Sequence, residues 1–370
     1  MSKLVSENIS TLRPYEPGKP IDELERELGI SNSIKLASNE NPLGPSPKAV
    51  EAMQSLLAEA HMYPDGAAFR LREAVSKKFD IPMNEIITGN GSNELLTLAA
   101  RTFACPGENA VISDYGFVAY KIVLTAANVP FTSVPVQPGF EQDLNALAAA
   151  CDQNTKLLFL ANPNNPTGTY VGRKALENFL KEVPPHVIVV LDEAYVEYAD
   201  ADDYTSGLEL RGLRERLLVF RTFSKCYGLG GMRVGFGVGP TELIDYMNRI
   251  REPFNVNILA QAAGAAALFD QDFVERTVKA NAESMVLFKR ALEDMELKYT
   301  PSQTNFLLVE MPEADKPLGG AVYQAMLRHG VITRPMAGYG LPNHLRITLG
   351  TPAQMERCVG ALKAALEEVQ

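Results

Sequence analysis

A lysine in the second half of the chain, Lys225, stands where several features that favour amine chemistry meet. It follows an apolar run at 217–220 whose length and composition are typical of a buried strand. Small hydroxyl residues precede it and glycines follow at 228–231, so a ligand can approach its amine closely. A Schiff-base lysine must be partly desolvated or close to another cation, and Arg233 could be that cation. The segment alone fits a Schiff-base lysine and a solvated surface lysine equally well.

The glycines after Lys225 do not form a dinucleotide-binding fingerprint. Gly228 and Gly230 begin such a pattern, but Arg233 occupies its third position and no helix is predicted to follow. The fingerprint requires a strand, a turn and a helix in that order. A nicotinamide site is therefore not expected here.

An asparagine- and proline-rich tract follows another strand-like run upstream. Residues 156–160 read as a buried strand, and 162–168 hold three asparagines and two prolines, which the interior of a helix or strand would not tolerate. This pattern predicts a rigid loop at a strand end, from which Asn165 can direct its amide at a ligand. The alternative is an Asn-Pro turn that binds nothing.

The most strand-like run in the chain, 187–191, ends in Asp192, and Tyr195 follows shortly after. A carboxylate in this position lies at the carboxyl edge of a parallel sheet, where open α/β proteins bind ligands. The alternative is that Asp192 caps a following helix.

The polar residues at these three strand ends together fit one ligand, pyridoxal phosphate. Asp192 would pair with a protonated pyridine nitrogen, and Lys225 would hold an aldehyde as an imine. Asn165 and Tyr195 would hydrogen-bond a phenolic oxygen. The ring needs such partners because it acts as an electron sink only while its nitrogen stays protonated.

With these residues in place, the sequence resembles a known family. It looks like a fold-type I pyridoxal-phosphate aminotransferase, and within that group it is most similar to the histidinol-phosphate aminotransferases. The motifs at 12–15, 36–42 and 345–348 extend the resemblance over nearly the whole chain in the family's order. The resemblance implies the cofactor pyridoxal 5'-phosphate and a ping-pong amino transfer between histidinol phosphate and 2-oxoglutarate, a step of histidine biosynthesis.

The resemblance also assigns roles to individual residues. The implied catalytic residues are Lys225, Asp192 and Tyr195. The implied substrate-binding residues are Tyr15, Asn39, Arg334 and Arg346. The implied cofactor-binding residues are Gly91, Ser92, Asn93, Phe117, Asn165, Asp192, Tyr195, Ser224, Lys225 and Arg233.

Two of these assignments also have a physical reading of their own. Residues 90–94 lead into a helical pattern, and the free N–H groups and positive dipole of a helix start make an anion site. A plain capped helix start is the alternative. Phe117 falls where the family stacks an aromatic ring on the pyridine, and Tyr115 is close enough in sequence to leave that choice open.

Tyr63 carries the prediction about assembly. In the family, the matching tyrosine reaches the cofactor phosphate of the partner subunit, which implies a homodimer with shared sites. A helix-ending turn at Tyr63 and Pro64 is the alternative. Assembly beyond a dimer is not predicted.

Two arginines, Arg334 and Arg346, bear on which substrate the protein binds. Arg346 lies inside an apolar strand-like run, and Arg334 closes another, positions where arginine rarely occurs without an anionic partner. The alternative is an internal salt bridge. The resemblance implies substrate anions, either an α-carboxylate or a phosphate. An aromatic amino-acid aminotransferase, a phospho-amino-acid decarboxylase of the same fold and a non-catalytic regulator that senses pyridoxal phosphate remain alternatives, in that order.

Composition agrees with a cytoplasmic enzyme of two domains. The 370 residues exceed the roughly 250 to 300 at which single cores stop growing. A net charge of −10 argues against nucleic acid and anionic membranes as partners. The longest apolar stretch, 258–269, is too short to span a bilayer, and the first ten residues lack a signal-peptide pattern. The four cysteines and four histidines show neither disulfide nor metal-ligand spacing, so no metal is expected.

The order of predicted elements defines the fold class. Helical patterns alternate with short apolar runs up to about residue 250, which indicates an α/β fold with a mostly parallel sheet flanked by helices. Beyond 256, long helices and separate strands indicate a smaller α+β domain. The predicted division is an N-terminal arm at 1–35 that packs with the small domain, a large cofactor-binding domain at 36–255, and the small domain at 256–370.

Overall fold

The chain forms helices and strands in alternation through its first two thirds. The computed structural model describes residues 4–12, 14 and 17–369. The helices are α1 (Glu7–Thr11), α2 (Ile21–Leu28), α3 (Pro47–Leu56), α4 (Phe69–Phe79), α5 (Ser92–Phe103), α6 (Val118–Ala126), α7 (Leu144–Ala149), α8 (Arg173–Glu182), α9 (Gly207–Leu210), α10 (Thr241–Ile250), α11 (Ile258–Ala267), α12 (Gln271–Asp294), α13 (Gly319–Arg328) and α14 (Pro352–Val369). The strands are β1 (Ile34–Lys35), β2 (Ile86–Gly89), β3 (Asn109–Ser113), β4 (Phe131–Val134), β5 (Thr155–Ala161), β6 (Ile188–Asp192), β7 (Leu217–Thr222), β8 (Gly235–Val238), β9 (Phe306–Glu310), β10 (Val331–Ile332), β11 (Arg334–Pro335) and β12 (His344–Thr348).

The main sheet has seven strands in the order β2-β8-β7-β6-β5-β3-β4, and all but β8 run parallel to one another. Its central strands are largely apolar because helices cover both faces. Along β5, Leu158 and Leu160 belong to the core on one face, whereas Leu157 and Phe159 belong to the core on the other. The predicted fold class, an α/β fold with a mostly parallel sheet, is confirmed.

The direction of the strands determines where polar side chains collect. Strands β2, β3, β5, β6 and β7 end at one edge of the sheet, since parallel strands share the position of their carboxyl ends. Each is followed there by a segment that carries a predicted site residue. The one antiparallel strand, β8, starts at the same edge directly after Arg233 and Val234.

The last third of the chain builds a second core. An antiparallel sheet of order β11-β12-β9 packs with α12, α13 and α14. Phe288, Leu307, Ile347 and Leu362 are fully buried between them. No helix of the described ranges 4–12, 14 and 17–369 is long and apolar enough to cross a membrane.

The segments near the predicted domain boundaries contact both the main-sheet part of the fold and the part built by the last third of the chain. In the N-terminal arm, β1 pairs with β10 and Leu24 of α2 packs against Leu327 and Ile332, whereas Asn8 of α1 donates a hydrogen bond to the Thr125 carbonyl on α6. Helix α11 packs its alanines against α3 and α4 beside the main sheet. The division at 35/36 and 255/256 stays a proposal.

Candidate active site

A cleft with a cavity volume of about 160 Å³, partly open to solvent, lies at the carboxyl edge of the main sheet and is bordered on its other side by the second core. Open α/β proteins typically bind their ligands at this edge of the sheet. Twelve of the predicted site residues line it: Asn39, Ser92, Asn93, Phe117, Asn165, Asp192, Tyr195, Ser224, Lys225, Arg233, Arg334 and Arg346. They come from eight separate segments that the fold brings together.

Lys225 lies in the turn after β7, with its amine inside the cleft. Its Nζ donates a hydrogen bond to the carbonyl of Ser38 at 3.0 Å and lies 5.8 Å from the centre of the Tyr195 ring. Burial, followed by the positive charge of Arg346, lowers the pKa of this amine to about 7. A neutral amine is therefore accessible near neutral pH, as a Schiff-base lysine requires.

Asp192 is the last residue of β6 and is buried. Its Oδ2 accepts a hydrogen bond from the Tyr120 hydroxyl at 3.0 Å, while Oδ1 has no hydrogen-bond partner in the described part of the chain. Burial raises the pKa of this carboxyl to about 6. A buried acceptor without a partner costs free energy, so a donor entering the cleft is stabilised there. The protonated ring nitrogen of pyridoxal phosphate would supply such a donor.

The two residues predicted at the phenolic oxygen are held by hydrogen bonds of their own. Tyr195 OH accepts a hydrogen bond from Asn39 Nδ2 at 2.7 Å, which leaves the hydroxyl proton for another acceptor. Burial raises the pKa of Tyr195, so the hydroxyl stays protonated. Asn165 Oδ1 accepts a hydrogen bond from Arg346 Nη1 at 2.6 Å, which fixes the orientation of the amide.

The predicted phosphate cradle combines a helix start with two side chains. Ser92 and Asn93 form the first turn of α5, whose twelve residues bring an aligned dipole to this point. Arg233 lies beside Ser224, with Nη1 at 3.4 Å from Oγ. Gly91 makes room for the guanidinium, because a Cβ built there would lie 2.7 Å from Arg233 Nη2. The donors and the positive charge fit a phosphate dianion.

The two arginines predicted for substrate lie on neighbouring strands at the other side of the cleft. Arg334 of β11 and Arg346 of β12 are directly paired in the sheet register. Arg346 is buried and also donates through Nη2 to the carbonyl of Ala37 at 2.6 Å. Both guanidinium Nη atoms of Arg346 therefore bond oxygens at the edge of the cleft that Arg346 lines.

Three residues named in the sequence predictions, Tyr63, Gly91 and Tyr115, are described and do not line the cleft. Tyr63 is 83% exposed and stacks on Phe254 with 4.8 Å between ring centres. Gly91 is not among the lining residues and lies next to the Arg233 guanidinium. Between the two aromatic candidates, Phe117 lines the cleft and Tyr115 packs edge-on against Phe140 instead. Tyr15 lies outside the described residues.

Several lining or supporting residues were not predicted. Ser38, Thr222 and Tyr339 line the cleft. Tyr120 donates a hydrogen bond from its hydroxyl to Asp192. The sequence carries a signal for Tyr120, which lies in the first turn of α6 close to Phe117, the residue before that helix, and the two rings are in edge-on contact. Tyr339 carries no comparable signal, because it lies in a turn between β11 and β12.

We expect the amine of Lys225 in the cofactor-free protein to titrate near pH 7, because burial and Arg346 lower its pKa. Its neutral, reactive fraction should rise as the pH increases through this value. Arg346→Gln removes a positive charge, so the pKa should rise and the reactivity profile should move to higher pH. Reductive methylation followed by peptide mass spectrometry measures the profile, with the exposed Lys279 as internal control. An unchanged profile in Arg346→Gln would contradict the electrostatic account.

Comparisons with known proteins define the class to which this fold and site belong. The family model for aminotransferase class I and II matches residues 31–362. The chain belongs to this family, which confirms the predicted enzyme class, a pyridoxal-phosphate-dependent aminotransferase.

Two sequence relatives and one solved structure show which aminotransferases the chain is similar to. The chain is 45% identical over 365 residues to histidinol-phosphate aminotransferase 2 of Pseudomonas fluorescens (strain Pf0-1), covering 98% of this chain and 97% of that one. It is 47% identical over 359 residues to histidinol-phosphate aminotransferase of Anaeromyxobacter sp. (strain Fw109-5), covering 97% and 98%. A histidinol-phosphate aminotransferase from Sinorhizobium meliloti, solved in complex with pyridoxal-5'-phosphate, superposes with a TM-score of 0.87 at 25% identity and covers 100% of this chain and 99% of that one.

Proposed function

We propose that this chain is a cytoplasmic homodimer that transfers the amino group between histidinol phosphate and 2-oxoglutarate. The observation that supports this choice of substrate is the pair Arg334 and Arg346. The two arginines are adjacent in the sheet register, and both line the cleft that contains Lys225. Two guanidinium groups there suit a phosphate or a carboxylate, since each can form paired charge-assisted hydrogen bonds. Relatives at 45% and 47% identity named histidinol-phosphate aminotransferase support the choice of a phosphorylated amine.

The residues of the chain supply placement and proton movement. When bound, pyridoxal phosphate supplies the electron sink that weakens the covalent bond between the α-carbon of an amine substrate and its hydrogen. Asp192 Oδ1 would accept the hydrogen bond of the protonated ring nitrogen. Lys225, with a pKa of about 7, can take a proton at Nζ as a general base and return it as an acid. Ser92, Ser224 and Arg233 would hold the cofactor phosphate.

The Arg346 side chain links the substrate end of the cleft to the cofactor end. Because Nη1 bonds Asn165 Oδ1 at 2.6 Å, an anion bound by Arg346 and a phenolic oxygen bound by Asn165 would share one rigid unit. Both half-reactions would use this arrangement, since glutamate and histidinol phosphate must place their amines over the same Lys225. This requirement is that of a ping-pong transfer.

Arg334→Ala should lower kcat/KM for histidinol phosphate by roughly 10- to 150-fold, the loss of one charge-assisted hydrogen bond of about 1.5 to 3 kcal/mol. Phenylalanine turnover should fall much less, because phenylalanine carries no anion at the far end of the pocket. Arg346→Ala should also lower kcat/KM for glutamate, whose α-carboxylate is expected there. Steady-state kinetics with each substrate provides the measurement.

A matched control for this series is Arg328→Ala, which removes an exposed arginine paired with Glu368 on the outer surface. It should leave all three substrates unaffected. Equal losses for histidinol phosphate and phenylalanine in Arg334→Ala would remove the phosphate role from Arg334.

The homodimer is supported by an exposed apolar surface. Leu57, Met62, Tyr63, Phe69 and Phe254 are each at least 44% exposed, and Tyr63 and Phe254 form a stacked pair. An exposed stacked aromatic pair, with further exposed apolar residues close to it in sequence, is typical of a protein interaction surface. A second copy of this chain would cover them and place Tyr63 near the partner's cofactor phosphate.

Mixing Tyr63→Phe subunits with Lys225→Ala subunits should restore activity if the sites are shared. The heterodimer then has one doubly damaged site and one intact site. The control mixes wild type with a chain carrying both substitutions, which yields heterodimers whose two sites are each damaged once. Activity assays on purified heterodimers compare the two mixtures. Higher activity in the control heterodimer, or full activity in a monomer, would show that Tyr63 serves its own subunit, and equal activity would show that Tyr63 contributes to neither site.

A further inference from the structure

A chain of three side chains connects the predicted phosphate cradle to the surface that carries Tyr63. Asn255 stands in the middle: its Oδ1 accepts a hydrogen bond from Arg251 Nη1 at 2.6 Å, and its Nδ2 donates to Glu94 Oε2 at 2.7 Å. Asn255 Nδ2 also lies 3.2 Å from the carbonyl of Thr88, at the end of β2. We call Glu94, Asn255 and Arg251 the cradle relay. None of the three lines the cleft.

One end of the cradle relay holds the backbone before α5. Glu94 Oε2 accepts a hydrogen bond from the backbone N–H of Asn90, so the carboxylate closes the turn that leads into Gly91 and Ser92. This turn presents the N–H groups at the start of α5. Its position therefore depends on where Glu94 is held, and Asn255 holds Glu94.

The opposite end holds the loop before α4. Arg251 Nη2 donates to the carbonyl of Gly66 at 2.9 Å, three residues after Tyr63. Tyr63 in turn stacks on Phe254, the residue next to Asn255. The loop that carries Tyr63 and the segment that carries the cradle relay are thus joined by two independent contacts.

We propose that the cradle relay couples the two cofactor sites of the dimer, so that cofactor phosphate bound at one site promotes binding at the other. The proposal rests on the proposed function, in which Tyr63 of each subunit completes the partner's phosphate site. Phosphate bound at the α5 start orders the turn at 90–92 and, through the cradle relay, the loop that presents Tyr63. That tyrosine belongs to the other site, so ordering it lowers the entropic cost of the second binding event.

Thermodynamic linkage makes this coupling reciprocal. Engagement of Tyr63 by the partner's cofactor stabilises the cradle of its own subunit in the same proportion. The coupling acts through the phosphate, because the cradle relay contacts the cofactor site only at the phosphate cradle. Pyridoxal lacks the phosphate, so its binding at one site should not promote binding at the other.

The test titrates cofactor-free dimer with pyridoxal phosphate and, separately, with pyridoxal, followed by absorbance. Wild type should bind pyridoxal phosphate with a Hill coefficient above 1 and pyridoxal with a coefficient of 1. Asn255→Ala removes the central residue without changing charge. It should weaken pyridoxal phosphate binding by about tenfold or more, reduce its Hill coefficient to 1 and leave pyridoxal affinity unchanged.

Arg251→Lys provides a second variant that keeps the charge but replaces the two separately placed donors, Nη1 to Asn255 and Nη2 to Gly66, by one shorter-reaching ammonium. It should lose the cooperativity in the same way. Asp245→Asn, in an exposed pair with Arg249 on the neighbouring helix α10, is the matched control and should behave as wild type. Sedimentation checks that every protein is a dimer.

The outcomes separate this proposal from the proposed function. Non-cooperative binding by a wild-type dimer that still attaches pyridoxal phosphate to Lys225 overturns the coupling alone. Equal weakening of pyridoxal phosphate and pyridoxal in Asn255→Ala overturns it as well, since that is the result of a purely structural role. Absence of attachment to Lys225 in wild type, or a monomeric wild type, overturns the proposed function itself.

Discussion

Lys225→Ala should abolish amino transfer altogether, because no other lysine lines the described cleft. The wild-type protein should absorb in the visible region when loaded with pyridoxal phosphate, and borohydride should fix the cofactor to Lys225. The amine has the required properties: it is buried inside the cleft and its pKa is lowered to about 7. Peptide mass spectrometry after reduction identifies the labelled residue.

The matched control for this prediction is Lys279→Ala, on the exposed side of α12. That variant should retain its absorbance and its activity. Labelling at a lysine other than 225, together with turnover by Lys225→Ala, would remove the basis of the proposed chemistry.

Asp192→Asn should retain the fold and some cofactor while losing several powers of ten in kcat, each power of ten corresponding to about 1.4 kcal/mol of activation free energy. An amide has nearly the same shape but no charge to keep the ring nitrogen protonated. The hydrogen bond from Tyr120, 3.0 Å from Oδ2, can be kept by the amide oxygen, so the site geometry should survive. Circular dichroism and single-turnover kinetics measure the two effects separately.

Asp200→Asn serves as the control, since Asp200 is exposed and lies outside the cleft. An Asp192→Asn enzyme within a factor of two of wild type would show that the carboxylate only positions the backbone after β6.

The parts of the fold that the sequence predicted are those with strong local patterns. Strands β5, β6 and β7 are continuous apolar runs because both faces of the sheet are covered, and each run was predicted within a few residues of its observed bounds. The short strand β4 has no buried run, since only Val134 of its four residues is buried, and it was not predicted. Helix α13 begins with two glycines and was missed for a similar reason.

The candidate site likewise has features that the local sequence predicts and features that it does not. Residues that end a strand or begin a helix, such as Asp192 and Ser92, carry their position in the local sequence. Contacts between distant segments do not: the Lys225 bond to Ser38 spans 187 residues, and the Arg346 bond to Asn165 spans 181. The sequence predicted an anionic partner for Arg346 but not its hydrogen bond to the Asn165 amide of the same site. The resemblance to a known family supplied roles, and the fold supplied the distances.

The cradle relay illustrates what neither local pattern nor resemblance predicts. Asn255 and Glu94 are 161 residues apart, and Arg251 and Gly66 are 185 apart. Each bond depends on how α10 and the segment after it return to the start of α5. Only the folded chain places them together.

The most direct test of the proposed function measures amino transfer to 2-oxoglutarate from histidinol phosphate, histidinol, phenylalanine and tyrosine in parallel. We predict the highest kcat/KM for histidinol phosphate, and a value for histidinol lower by roughly 10-fold or more, because removing the phosphate removes the anion that Arg334 and Arg346 bind. Equal rates for histidinol and histidinol phosphate, or a preference for phenylalanine over both, would contradict the proposal and indicate an aromatic amino-acid aminotransferase.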